Sequence, residues 1–76
     1  MSDLPTVNGR QAIAAFSRDG FSVIRTAGAH HIIRKPGHRF LLSVPVHGSK
    51  PLKRGTLRSL IRAAGMTVEQ FKRLLD

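Results

Sequence analysis

Phe21-Ser22-Val23-Ile24-Arg25-Thr26, then Ala27-Gly28-Ala29, then His30-His31-Ile32-Ile33-Arg34-Lys35 is the stretch that decides the fold. Both hexapeptides are rich in β-branched and aromatic residues, and the three residues between them are small, so the stretch reads as two antiparallel strands joined by a short turn. Pro36-Gly37 supplies a second turn. Arg39-Phe40-Leu41-Leu42-Ser43-Val44 then reads as a third strand, which Pro45 ends where its missing N–H is tolerated. The expectation is a three-stranded meander.

Helices flank it. Asn8 is placed to cap a helix over residues 9–18, with Gln11 reaching back, and Gly20 is placed to close it in a left-handed conformation. After a loop from Val46 to Lys53, the spacing of Leu57, Leu60, Ile61 and Ala64 restores a helical period from Thr56, and Gly65 ends it. Thr67-Val68-Glu69-Gln70 is a capping box for a short last helix carrying Phe71, Leu74 and Leu75. The order α-β-β-β-α-α implies a two-layer α+β sandwich with helices on one face of the sheet. Phe40, Leu42 and Val44 share one face of the third strand. In the second, Ile32 and Ile33 fall on opposite faces, and the reading adopted turns Ile32 to the helices with His30 and Arg34, leaving His31, Ile33 and Lys35 on the open face.

Seventy-six residues without a membrane-length apolar run leave room for one small domain, residues 1–76, with little interior to hold a cofactor. The absence of Cys removes disulfides, thiolate metal sites and thiol nucleophiles. Met1-Ser2-Asp3-Leu4-Pro5 has no basic leader followed by an apolar run, so a cytoplasmic protein is expected, with no membrane partner.

Charge says more. Thirteen Lys and Arg face four Asp and Glu, a net charge of +9. Asp19 and Glu69 are consecutive acids, and the 49 residues between them hold Arg25, Arg34, Lys35, Arg39, Lys50, Lys53, Arg54, Arg58 and Arg62. Such a stretch lacks carboxylates of its own for ion pairing, so its cations are solvated or meant for an external polyanion, and their mutual repulsion favours the second reading. Lys50, Lys53 and Arg54 precede the open amides of the second helix, and Arg58 and Arg62 continue along it at i, i+4 spacing, which together describe a phosphate-binding surface. Base stacking is expected to be weak, since Trp and Tyr are absent and the Phe residues fit core positions. Four His without Cys and with few carboxylates make a poor metal set, so neither metal nor cofactor is expected. Imidazole among cations remains for chemistry: a His can take the proton of a ribose 2′-OH while Lys or Arg stabilises the attacked phosphate. A structural His in a strand is the plainer alternative.

Gly28-Ala29-His30-His31-Ile32-Ile33-Arg34, Val44-Pro45-Val46-His47-Gly48, Lys53-Arg54-Gly55-Thr56-Leu57-Arg58-Ser59-Leu60 and Ala64-Gly65-Met66-Thr67-Val68-Glu69-Gln70-Phe71 resemble the HicA (YcfA-like) toxins in order and spacing, from about Asn8 to Leu75. The resemblance implies a double-stranded-RNA-binding-domain-like α-β-β-β-α fold. It implies a ribosome-independent mRNA interferase of a type II toxin-antitoxin pair, neutralised by a HicB-type antitoxin, here expected to be acidic. It also implies that His31 is the catalytic histidine. RNA-binding roles are expected for Lys35, Lys50, Lys53, Arg54, Arg58 and Arg62. The chain departs from the pattern at Ala29, where the family commonly has Ser, and at His38. Two other classes remain: a non-catalytic RNA-binding module on this fold, and a helix-turn-helix DNA-binding regulator built from Leu57 to Leu75.

Overall fold

The cap at Asn8 forms as its side chain dictates. Its Oδ1 accepts from the Gln11 N–H and the Gln11 side chain accepts from the Asn8 N–H, both at 2.8 Å, so two orphan amides are satisfied and α1 runs Gly9–Arg18. It closes with Gly20 at φ +106°, the Phe21 N–H returning to the Phe16 carbonyl and the Gly20 N–H to that of Ser17. The computed structural model describes residues 3–75. After α1 come β1 (Ser22–Ala27), β2 (His30–Arg34), β3 (Leu42–Pro45), α2 (Arg54–Ala63) and α3 (Val68–Leu74). The strands pair antiparallel in the order β1-β2-β3. This is the expected α+β order, α-β-β-β-α with a short extra C-terminal helix.

The core lies between the sheet and the helices. Ile33, Leu42 and Val44 from the sheet are fully buried with Phe16 of α1, Leu57 of α2 and Phe71 of α3. The Phe16 ring packs edge-on to Phe21 at 5.7 Å and tilted to Phe71 at 5.1 Å, so one aromatic joins α1, the start of the sheet and α3. Truncating such a residue to Ala costs about 3–5 kcal/mol. Arg18 Nη1 also donates to the Leu74 carbonyl at 2.6 Å. Phe71 thus seats α3 on α1 within the same core.

The register of β2 corrects the expected one. Ile33 pairs with Leu42 and His31 with Val44, and both β3 residues are buried, so His31 and Ile33 face the helices while His30, Ile32 and Arg34 face away. Alternation alone could not choose between two adjacent isoleucines. Leu42 and Val44, buried on the partner strand, make the choice.

Element ends differ too. β3 starts at Leu42, three residues later than Arg39, and Phe40 is 54% exposed, so not every Phe is a core residue. Helix α2 begins at Arg54, one half-turn before Thr56. Lys35 Nζ lies 3.0 Å from Asp19 Oδ2, which corrects the expectation that cations of the acid-free stretch form no internal ion pair: the acid bordering that stretch reaches back into it.

Candidate functional site

Strand pairing defines two ends of the sandwich. At one, β2 begins at His30 opposite Pro45, where β3 finishes, and the Val46 N–H donates to the Ala29 carbonyl at 2.7 Å. The first residue of α1 packs there as well: a Cβ on Gly9 would collide with the Pro45 carbonyl oxygen and approach Val46 Cγ2 to 2.9 Å. The following loop is held to the N-terminal segment by Leu52 N–H donating to the Val7 carbonyl at 2.8 Å. The starts of α1 and β2, the finish of β3 and the approach to α2 therefore meet at one end.

His31 stands at that end on the helix side of the sheet. It is half-buried, and its Nδ1 is buried with no hydrogen-bond partner among the described residues. An unpaired buried nitrogen costs roughly 1–3 kcal/mol, and such exceptions call for an explanation, of which a catalytic role is one. Nε2 is not among the buried unpaired atoms, which leaves it as the nitrogen able to meet a substrate.

Beside the finish of β3 lies a hollow of about 310 Å³ lined by Pro45, His47, Lys50, Pro51, Leu52, Lys53 and Thr56. The turn His47–Lys50 shapes it, closed by the Lys50 N–H donating to the His47 carbonyl at 3.0 Å with Gly48 at φ +58°. Lys53 caps α2 by position only. Its side chain makes no capping bond and no acid sits in the first turn, so the opening amides stay available to an anion. Lys50 and Lys53 are exposed and line the hollow, Arg54 follows, exposed, as the first residue of α2, and Arg58 and Arg62 continue, exposed, along that helix. His47 was legible in the sequence as a loop residue and as part of the Val44–Gly48 segment that carries the resemblance, but not as part of a site. Its place in the hollow depends on a turn that brings it back over Lys50.

Lys35 is not brought to this group. It follows β2 at the other end of the sandwich, where Asp19 takes its ammonium and the Phe21 ring lies beneath at 5.9 Å. That end is also the place of His38, whose Nε2–H donates to the Ala63 carbonyl at 2.7 Å and whose ring stands edge-on to Phe21 and Phe40. His38 therefore satisfies a carbonyl at the C-terminus of α2, which gives the departure at this position a structural role.

A family model described as HicA toxin of bacterial toxin-antitoxin matches residues 9–66. The chain belongs to the HicA toxin family. No curated protein sequence matches it. The HicA match opens on Gly9, the residue wedged against β3, and closes on Met66, just past α2, so it contains His31, the His47 turn and every cation of the α2 surface. As the toxin of a toxin-antitoxin system, a HicA protein has a cognate antitoxin partner. Among the described residues no helix is long and apolar enough to cross a membrane.

Proposed function

We propose that this HicA protein is a metal-independent endoribonuclease that cleaves mRNA, and that a HicB-type acidic antitoxin silences it by covering the basic end of the sandwich. What supports the reading is that His31, with one buried unpaired nitrogen, pairs with Val44, one residue before Pro45, which lines the hollow with Lys50 and Lys53 ahead of the uncapped start of α2.

In this mechanism phosphates of the RNA lie against Lys50, Lys53, Arg54 and the α2 amides, with Arg58 and Arg62 holding the strand further along. His31 Nε2 takes the proton of a ribose 2′-OH. The freed oxygen attacks the adjacent phosphorus, and the bond from phosphorus to the 5′-oxygen breaks, that oxygen taking a proton from an acid or from water. The products are a 2′,3′-cyclic phosphate and a 5′-hydroxyl. The cations stabilise the charge that builds on the phosphate oxygens. Attack by the 2′-OH makes DNA a non-substrate.

Purified protein incubated with labelled RNA in EDTA tests the reading. Cleavage to 2′,3′-cyclic phosphate ends, with 2′-O-methyl RNA left intact, is the expected result. Binding of RNA without cleavage in the absence of antitoxin would replace it with a non-catalytic RNA-binding module.

A further inference from the structure

The phosphate hollow is one end of a longer groove. Thr56 lines it and also lines a second hollow, between β3 and α2, walled by Leu41, Leu42, Ser43, Ser59, Leu60 and Ala63 among others. The two run on from each other along the free edge of β3: cationic beside Lys50 and Lys53, apolar beside Leu41 and Leu60. Leu41 is 56% exposed, an uncovered apolar side chain at the mouth of the apolar half.

The strand edge in this groove has unsatisfied backbone groups. Since the Val46 N–H bonds to Ala29, and bonded pairs recur every second residue along an antiparallel ladder, the pairs 31/44 and 33/42 are bonded while 30/45 and 32/43 are not. The N–H and C=O of Ser43 therefore point away from β2, into the groove, while the C=O of Pro45, also turned from β2, packs against Gly9 of α1. The other edge of the sheet, β1, has a bulge between Val23 and Arg25, a device that blunts pairing with further strands. β3 has no such break in its register.

We propose that the antitoxin docks by laying an extended segment along the β3–α2 groove. Its backbone pairs with Ser43, its acidic side chains meet Lys50 and Lys53, and its apolar side chains cover Leu41 and Leu60. Three features select this occupant. Paired N–H and C=O groups on a strand edge are complemented by polypeptide backbone and not by a sugar-phosphate chain. The cations of the groove and of the adjoining α2 face have no carboxylate within the stretch from residue 20 to residue 68, so the complement is acidic. A second copy of this chain, itself at a net +9, has no acidic complement to offer this surface from its stretch between residue 20 and residue 68 and is repelled. A strand seated this way blocks the phosphate hollow directly, so docking and inhibition are one event. The proposal rests on the antitoxin partner of the preceding reading and not on its nuclease chemistry.

The test uses the toxin with the antitoxin encoded beside it. Ser43→Pro removes the outward N–H without touching a bond to β2, and Ser59→Trp fills the groove from an exposed helix position. Circular dichroism and thermal melting establish that both variants fold. Each is expected to weaken antitoxin binding at least tenfold and to leave RNA cleavage by the free toxin unchanged, whereas Arg25→Glu on the far face of the sheet leaves binding as it was. Amide exchange at Ser43 is expected to slow at least tenfold in the complex. Parental affinity in both folded variants, or unchanged exchange at Ser43, would overturn the proposal. So would loss of RNA binding with antitoxin binding intact, which would give the groove to nucleic acid, or a concentration-dependent dimer of the free toxin abolished by Ser59→Trp. A toxin that cleaves no RNA yet binds antitoxin through Ser43 would refute the nuclease reading and leave the docking mode standing.

Discussion

Gly9 and Pro45 touch backbone to backbone, and no side chain larger than hydrogen fits at Gly9 without moving one of them. This contact sets α1 against the finish of β3, one residue past the partner of His31. Gly9→Ala is expected to destabilise the fold by about 1–3 kcal/mol through overpacking. It is also expected to lower cleavage more than RNA affinity, because it shifts the strand that positions His31 and leaves Lys53 and Arg58 in place. Urea denaturation and single-turnover kinetics on the same variant separate the two effects.

His31 is a cost to the fold. His31→Leu removes an unpaired buried nitrogen and adds apolar surface on the core side of β2, so the variant is expected to gain about 1 kcal/mol, seen as a melting point higher by roughly 4–8 °C. The same variant, like His31→Ala, is expected to lose about 10²- to 10⁴-fold in cleavage rate while still binding RNA. A His31→Leu protein that cleaves at the parental rate would remove the catalytic assignment.

His38 behaves oppositely. Losing its bond to the Ala63 carbonyl and its contacts with Phe21 and Phe40, His38→Ala is expected to destabilise by about 1–3 kcal/mol. Cleavage per folded molecule is expected to stay at the parental level, since the residue lies at the far end of the sandwich. Activity measured well below the melting point, and normalised to the folded fraction, checks this.

RNA affinity is expected to fall with salt. Neutralising about four to six phosphates, at ~0.7–0.9 per contact, gives a slope of log K against log salt of about −3 to −5. Lys53→Ala or Arg58→Ala is expected to make that slope shallower by about 1 and to weaken unrelated RNA sequences alike. Lys35→Ala is expected to change neither, because Asp19 holds it away from the α2 surface. Filter binding across a salt series reads all three.

Local features were legible because their causes are local. Asn8 with Gln11 and Thr67 with Gln70 form the capping boxes their spacing implies, and Gly20 and Gly65 take the left-handed conformation that ends α1 and α2. The meander, the order of elements and the basic run at the start of α2 follow from residues close in sequence, while the HicA family was legible as a resemblance spread over segments from about Asn8 to Leu75. Tertiary structure decided what alternation and composition leave open. Which of Ile32 and Ile33 faces the helices depends on Leu42 and Val44, burial partners about ten residues away, and that choice carries His31 from the open face to the core face, where it is half-buried. Lys35 left the basic group for Asp19, and His38 found Ala63, through contacts spanning 16 and 25 residues. A side chain's partners across the sandwich are set by packing, and no period within a single strand or helix records them.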